Sequence, residues 1–136
     1  MRLVLDTNVL VAGLLTPSGP SGQMVELLLA GRLEPCVDGR ILDDYRHVLL
    51  NRPRLAIPHA QALLVLDAIA AHADHVAPLP LPTRMADPVA CAFLEVTVAA
   101  GVGLVTGSLR AYPREARHGI PVLSPEGFLD VVRTSV

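Results

Sequence analysis

Leu3-Val4-Leu5-Asp6-Thr7-Asn8-Val9-Leu10-Val11-Ala12-Gly13 is the stretch whose reading decides the fold. Its apolar run starts almost at the first residue and breaks at an acid. A run of this kind reads as a strand covered on both faces, because such a strand needs no polar alternation. Asp6 then stands at the strand's carboxyl end, the edge at which open parallel sheets bind ligands. A carboxylate followed there by Thr7 and Asn8 is a candidate site. The same residues also suit a helix cap, with the Asp6 side chain accepting from the next turn. The two readings are compatible.

Length and composition bound the rest. With 136 residues the chain has room for one core, and a single domain is expected over 1–136. Apolar residues make up 51% of it, and a mean hydropathy of +0.48 leaves a surplus expected to surface as a partner-binding patch. Asp67 interrupts the longest apolar candidate, Ala62 to Ala71, so no membrane span is expected. An acid inside the first hydrophobic segment argues against a secretory signal, and a cytoplasmic protein is expected. Cys36 and Cys91 match neither a metal spacing nor a disulfide framework and read as core residues. A formal charge of -2 gives no broad basic face, so any nucleic-acid contact must be local. All 11 basic residues are Arg.

Along the chain, Thr7 to Leu15 forms a short helix, and Thr16-Pro17-Ser18-Gly19-Pro20 a loop. Ser21 caps a second helix that runs to about Ala30, and Leu33 to Val37 is a strand. From Gly39 to Asn51 the apolar positions Ile41, Leu42, Tyr45, Val48 and Leu49 recur on one helical face. Ala56 to Ala73 is the next helix, with Pro58 in its first turn and Leu63, Leu64, Leu66 and Ile69 toward the core; His59, His72 and His75 read as surface residues. An extended proline-rich connector, Pro78 to Pro82, leads to a helix opened by Pro88 and stopped by Gly101. Val102 to Thr106 is a second buried strand, Gly107 to His118 a loop, Pro121 to Leu123 a short strand, and Ser124-Pro125-Glu126 begins the closing helix. Strands alternating with helices define an α/β domain, three-layered, with a mainly parallel sheet flanked by helices.

One carboxylate holds Mg²⁺ poorly, so Asp6 needs companions at the same sheet edge. Helical phase separates Asp43 from Asp44. At 100° per residue Asp44 falls at the border of the apolar face and Asp43 on the far side. Asp44 can lean into a cleft or serve as a plain boundary charge; Asp43 is expected in solvent. Asp87 precedes Pro88, where a cap explains it and a site role is open. Glu95 lies about 12 Å further along that helix and reads as a solvated or interface acid. Ser108, after the second buried strand, is expected at the same edge as Asp6 and on a neighbouring strand, where it can hold a water or a phosphate.

Four stretches together resemble the PIN domain, and within it the VapC-like ribonucleases that are toxin components of bacterial toxin–antitoxin pairs. They are Val4 to Gly13; Ile41-Leu42-Asp43-Asp44-Tyr45-Arg46-His47-Val48-Leu49 with Arg52-Pro53; Asp87-Pro88 with Phe93-Leu94-Glu95 and Ala99-Ala100-Gly101; and Val105-Thr106-Gly107-Ser108-Leu109-Arg110. They stand in family order. The resemblance implies dependence on Mg²⁺ or Mn²⁺ held by up to four acids. Asp6 matches the first of these and Asp44 the second, where the family has Glu. The third position holds Ala90 and the fourth, usually Asp or Asn, holds Ser108. Asn8 and Asp87 stand as supports, Asp87 lying one turn before Ala90.

Two functions follow as expectations. In the first, the chain is a metal-dependent endoribonuclease of the toxin type, with Asp6 and Asp44 holding a weakly bound ion, and with Arg110, Arg114, Arg117, Arg52 and Arg54 available to RNA phosphates. A cognate antitoxin and a homodimer are its implied partners. In the second, the chain keeps the fold and its partner surface without the chemistry. Transfer through an aspartyl phosphate is set aside, because that chemistry generally requires a Lys and the chain has none.

Overall fold

The computed structural model describes residues 1–82 and 85–134. It opens on the strand Arg2–Leu5 (β1), whose last three residues are buried, and passes directly into the helix Thr7–Leu15 (α1). Next come the helix Pro20–Leu29 (α2), the strand Glu34–Val37 (β2) and the helix Gly39–Asn51 (α3). The helix His59–His72 (α4), the two-residue strand Asp74–His75 (β3) and the helix Pro88–Ala100 (α5) follow. The strands Gly103–Val105 (β4) and Val122–Leu123 (β5) and the helix Pro125–Thr134 (α6) complete the order. Among the described residues the five strands form one parallel sheet in the order β3-β2-β1-β4-β5.

That order fixes the site. The chain adds β2 and β3 on one side of β1, then crosses back to add β4 and β5 on the other. The reversal falls between β1 and β4, where connections leave the two carboxyl ends in opposite directions and open a crevice. Leu5 pairs with Val105, so Asp6 and Thr106 emerge side by side. Ser108 therefore leaves the strand next to that of Asp6, as expected. Helices cover the sheet in two groups: α5 lies along β1, β2 and β4 with α3 beside it, while α2 packs against α1, α4 and α6.

Several helix boundaries differ from the sequence reading, each for a local reason. α2 begins at Pro20 with Gly19 at the cap position, not at a Ser21 cap; the proline ring presets the first helical φ and its missing N–H is not needed there. α4 begins at His59, three residues late, because Ala56 adopts a left-handed φ of 54° and Pro58 occupies the cap position. Its buried residues are Ala62, Val65 and Ile69. Leu63 and Leu64, expected in the core, are 45% and 59% exposed. A helix apolar on nearly every side has no phase from which to choose its inner face. The edge strand β3 was not anticipated, since two residues carry no alternation signal.

The turn that joins α1 to α2 lies tightly against Gly22 in the first turn of α2, where an added Cβ would stand 2.0 Å from the backbone oxygen of Pro17. Gly22→Ala is expected to lower stability by about 1–3 kcal/mol through overpacking. Urea denaturation measures this, and an unchanged midpoint would show that the turn before α2 yields freely.

Candidate active site

Asp6 follows β1 in extended conformation at the cap position of α1, yet its side chain makes no close capping hydrogen bond. The carboxylate turns instead toward β4. Its Oδ2 accepts from the Thr106 hydroxyl at 2.9 Å and from the Tyr112 hydroxyl at 2.9 Å. Burial pushes the Asp6 carboxyl above its ordinary value of 3.8, and the Thr106 and Tyr112 hydroxyls and the Asn8 backbone N–H pull against that rise. Tyr112 is fully buried, and burial beside this carboxylate raises its phenol, so it stays a neutral donor.

Asp44 takes the orientation its helical phase predicts. It is partly buried while Asp43 is exposed, and its Oδ2 accepts from the Thr7 hydroxyl. Next to it in the chain, Tyr45 is fully buried and donates to the Leu5 carbonyl at 2.6 Å, tying α3 to the residue before Asp6. Asn8 accepts from the Gly107 N–H at 2.9 Å, which joins the start of α1 to the turn after β4. Asp87 caps α5, accepting from the Val89 N–H at 2.9 Å.

A cleft of about 410 Å³ opens in front of these groups, lined by Thr7, Asn8, Asp44, Arg52, Asp87 and the apolar Val11, Val48, Leu55 and Val89. The structure thus brings Asn8, Asp44 and Asp87 to one opening. Asp6 is not among the lining residues, but it is near enough that the Asp44 charge acts on it. Ser108 is exposed, with its N–H on the Thr106 hydroxyl, and Ala90 is buried in α5. Arg110 and Arg114 are exposed in the turns beyond Ser108. Arg117 uses part of its guanidinium to donate to the carbonyls of Tyr112 and Leu109 at 2.7 and 3.3 Å.

Glu95 corrects the sequence reading. It is only 7% exposed, paired with Arg40 at 2.7 Å and accepting from the Leu81 N–H at 2.9 Å. It fastens the proline-rich connector to α5 and takes no part in the cleft. The residues missed from sequence are Thr106 and Tyr112. Thr106 had a signal, as a hydroxyl at a buried strand's carboxyl end; Tyr112 lies in an aperiodic loop and had none.

The donor chemistry bears on which ion these residues suit. Asp6, Asp44 and Asp87 each have one carboxylate oxygen engaged by a hydroxyl or N–H donor and a second that no side chain engages. Among the described residues no three His, Cys, Asp or Glu converge tightly enough to cage a metal. Oxygen donors in this number fit Mg²⁺ or Mn²⁺, hard ions for which one or two carboxylates and several waters suffice, and they do not fit zinc.

Residues 2–108 match the family model described as PIN domain. Among solved structures, the crystal structure of VapBC2 from Rickettsia felis bound to a DNA fragment from their promoter is similar, with a TM-score of 0.58 and 12% sequence identity over 90% of this chain and 97% of that one. At that identity the likeness speaks for the fold. No curated protein sequence matches.

Proposed function

This chain belongs to the PIN-domain family, and on that premise we propose that it is a divalent-metal-dependent endoribonuclease, the toxin of a toxin–antitoxin pair. The observation that carries this reading is that Asp6 and Asp44 lie near enough for their charges to interact, the Asp44 carboxylate held by Thr7 and that of Asp6 by Thr106 and Tyr112. Asp6 and Asp44 are the residues to hold Mg²⁺ or Mn²⁺, with Asn8, Asp87 and Ser108 at the margin. When bound, such an ion supplies a Lewis acid and a water acidic enough to attack a phosphodiester near neutral pH.

The chain's own residues do the remaining work. Thr7 fixes the Asp44 carboxylate, and Thr106 and Tyr112 fix that of Asp6. Arg52 on the cleft wall places a planar cation where an RNA phosphate would enter, and Arg110 and Arg114 extend the same charge beyond the turn. The chain has 3% aromatic residues and the cleft lining has none, which favours backbone contact over base stacking. With two acidic ligands the ion is held weakly and needs millimolar supply.

A cognate antitoxin and a second copy of the chain are the proposed partners, and the cytoplasm the proposed location. The exposed Leu15, Leu29, Leu63 and Leu64 support an apolar partner surface. No helix among the described residues is long and apolar enough to cross a membrane. A second reading, a PIN module without nuclease activity, is favoured by Ala90 and Ser108 standing where the family resemblance places acids.

Cleavage of single-stranded RNA by the purified protein decides between them. It is expected with Mn²⁺, absent with EDTA, and reduced at least about 100-fold in Asp6→Asn. Equal cleavage in all three would mean contamination, and no cleavage by folded protein would favour the second reading.

A further inference from the structure

The two hydroxyls that reach Asp6 meet on the same oxygen. Thr106 Oγ1 and Tyr112 Oη both lie 2.9 Å from Oδ2, and no side chain donates to Oδ1. The direction of these bonds is fixed. An ionised carboxylate can only accept, so the one proton of Thr106 Oγ1 goes to Asp6, while Oγ1 itself accepts from the Ser108 N–H at 3.0 Å. Tyr112 is clamped from behind, its N–H donating to the Leu109 carbonyl at 3.2 Å and its own carbonyl accepting from Arg117 at 2.7 Å. Both lone pairs of Oδ2 are therefore occupied by donors that other bonds hold in place.

We propose that Tyr112 is a positioning residue that commits Asp6 to bind through Oδ1 alone, and so limits the site to one divalent ion per chain. This rests on the metal reading above. A carboxylate that bridges two ions about 4 Å apart needs both oxygens, or a spare lone pair on one of them. Asp6 has neither option at Oδ2 while Tyr112 and Thr106 remain. The phenol also keeps the carboxylate plane from rotating, so Oδ1 is held in one orientation without a search over rotamers.

Tyr112 is also a built-in reporter. The chain has no Trp and two Tyr, and the other, Tyr45, bonds to a backbone carbonyl instead. An ion at Oδ1 draws charge from the carboxylate and weakens the Tyr112 hydrogen bond, which alters near-UV tyrosine absorbance. Mg²⁺ is itself silent there.

The test uses the full chain. Mn²⁺ bound per chain is counted by electron paramagnetic resonance, and Mg²⁺ titrations are followed by near-UV difference spectra. The wild type is expected to bind one ion with a tyrosine difference signal. Tyr112→Phe is expected to bind about tenfold more weakly and, at saturation, without that signal. Thr106→Val is expected to weaken binding similarly, and Thr106→Ser to restore it. Two ions per wild-type chain, or wild-type affinity in folded Tyr112→Phe, overturns the proposal while leaving the metal reading intact, provided that Asp6→Asn fails to bind. If Tyr112→Phe does not fold, unchanged affinity in Thr106→Val overturns it. No binding by the wild type overturns both.

Discussion

Asp6→Asn is expected to make the protein blind to divalent ions and more heat-stable at once. The reason lies in the direction of the Asp6 shift. Burial raises its folded value above the ordinary 3.8, so between those two values the folded chain binds more protons than the unfolded one. Stability then falls as pH rises through that window, and above it the ionised Asp6 weighs against the fold in full. Asn removes the charge while its amide oxygen still accepts from Thr106. The gain expected near neutral pH is about 0.5–2 kcal/mol, or roughly 2–6 °C in melting temperature for a chain of this size. It should shrink as pH is lowered and vanish below 3.8, where the wild-type carboxyl is protonated in both states. Thermal melts across pH 3–8, without metal, measure it. A variant less stable than wild type at every pH would show that the carboxylate is a net contributor to the fold, not a functional charge held at a cost.

Tyr45→Ala is expected to be the most damaging single change at the site. Tyr45 is fully buried, packs its ring 6.0 Å from that of Phe93, and donates to the Leu5 carbonyl at 2.6 Å. Truncation leaves both a cavity between α3 and α5 and an unanswered carbonyl one residue before Asp6. The cavity costs about 3–5 kcal/mol and the orphaned acceptor about 1–3 kcal/mol more. Against a total stability of about 5–15 kcal/mol this leaves little margin. Tyr45→Phe keeps the ring and separates the terms, and should lose only the smaller part. Chemical denaturation of the pair measures both. Equal losses in the two variants would place the whole effect in the hydrogen bond.

The parts of this account that sequence made legible are those in which one physical signal dominates. The unbroken apolar run of β1 could only be a covered strand, and its end marked Asp6. The helical phase of α3 separated a partly buried Asp44 from an Asp43 whose side chain is 83% exposed, because five apolar positions fix that helix's inner face. Placement of Ser108 at the same sheet edge as Asp6 followed from the second buried strand that ends just before it. What stayed hidden depends on partners distant in the chain. Tyr112 reaches Asp6 across 106 residues from a loop with no periodicity. Glu95 is buried only because Arg40, on another helix, arrives to neutralise it. The inner face of α4 was misjudged because large side chains surround that helix on most sides, and small Ala62 faces inward instead.

Diffraction from Mn²⁺-soaked crystals at the manganese absorption edge tests the central claim most directly, since it locates the ion without reference to activity. A single anomalous peak per chain in contact with both Asp6 and Asp44 is expected, lost in Asp6→Asn crystals. A peak held by other residues, or two ions sharing Asp6, would contradict it.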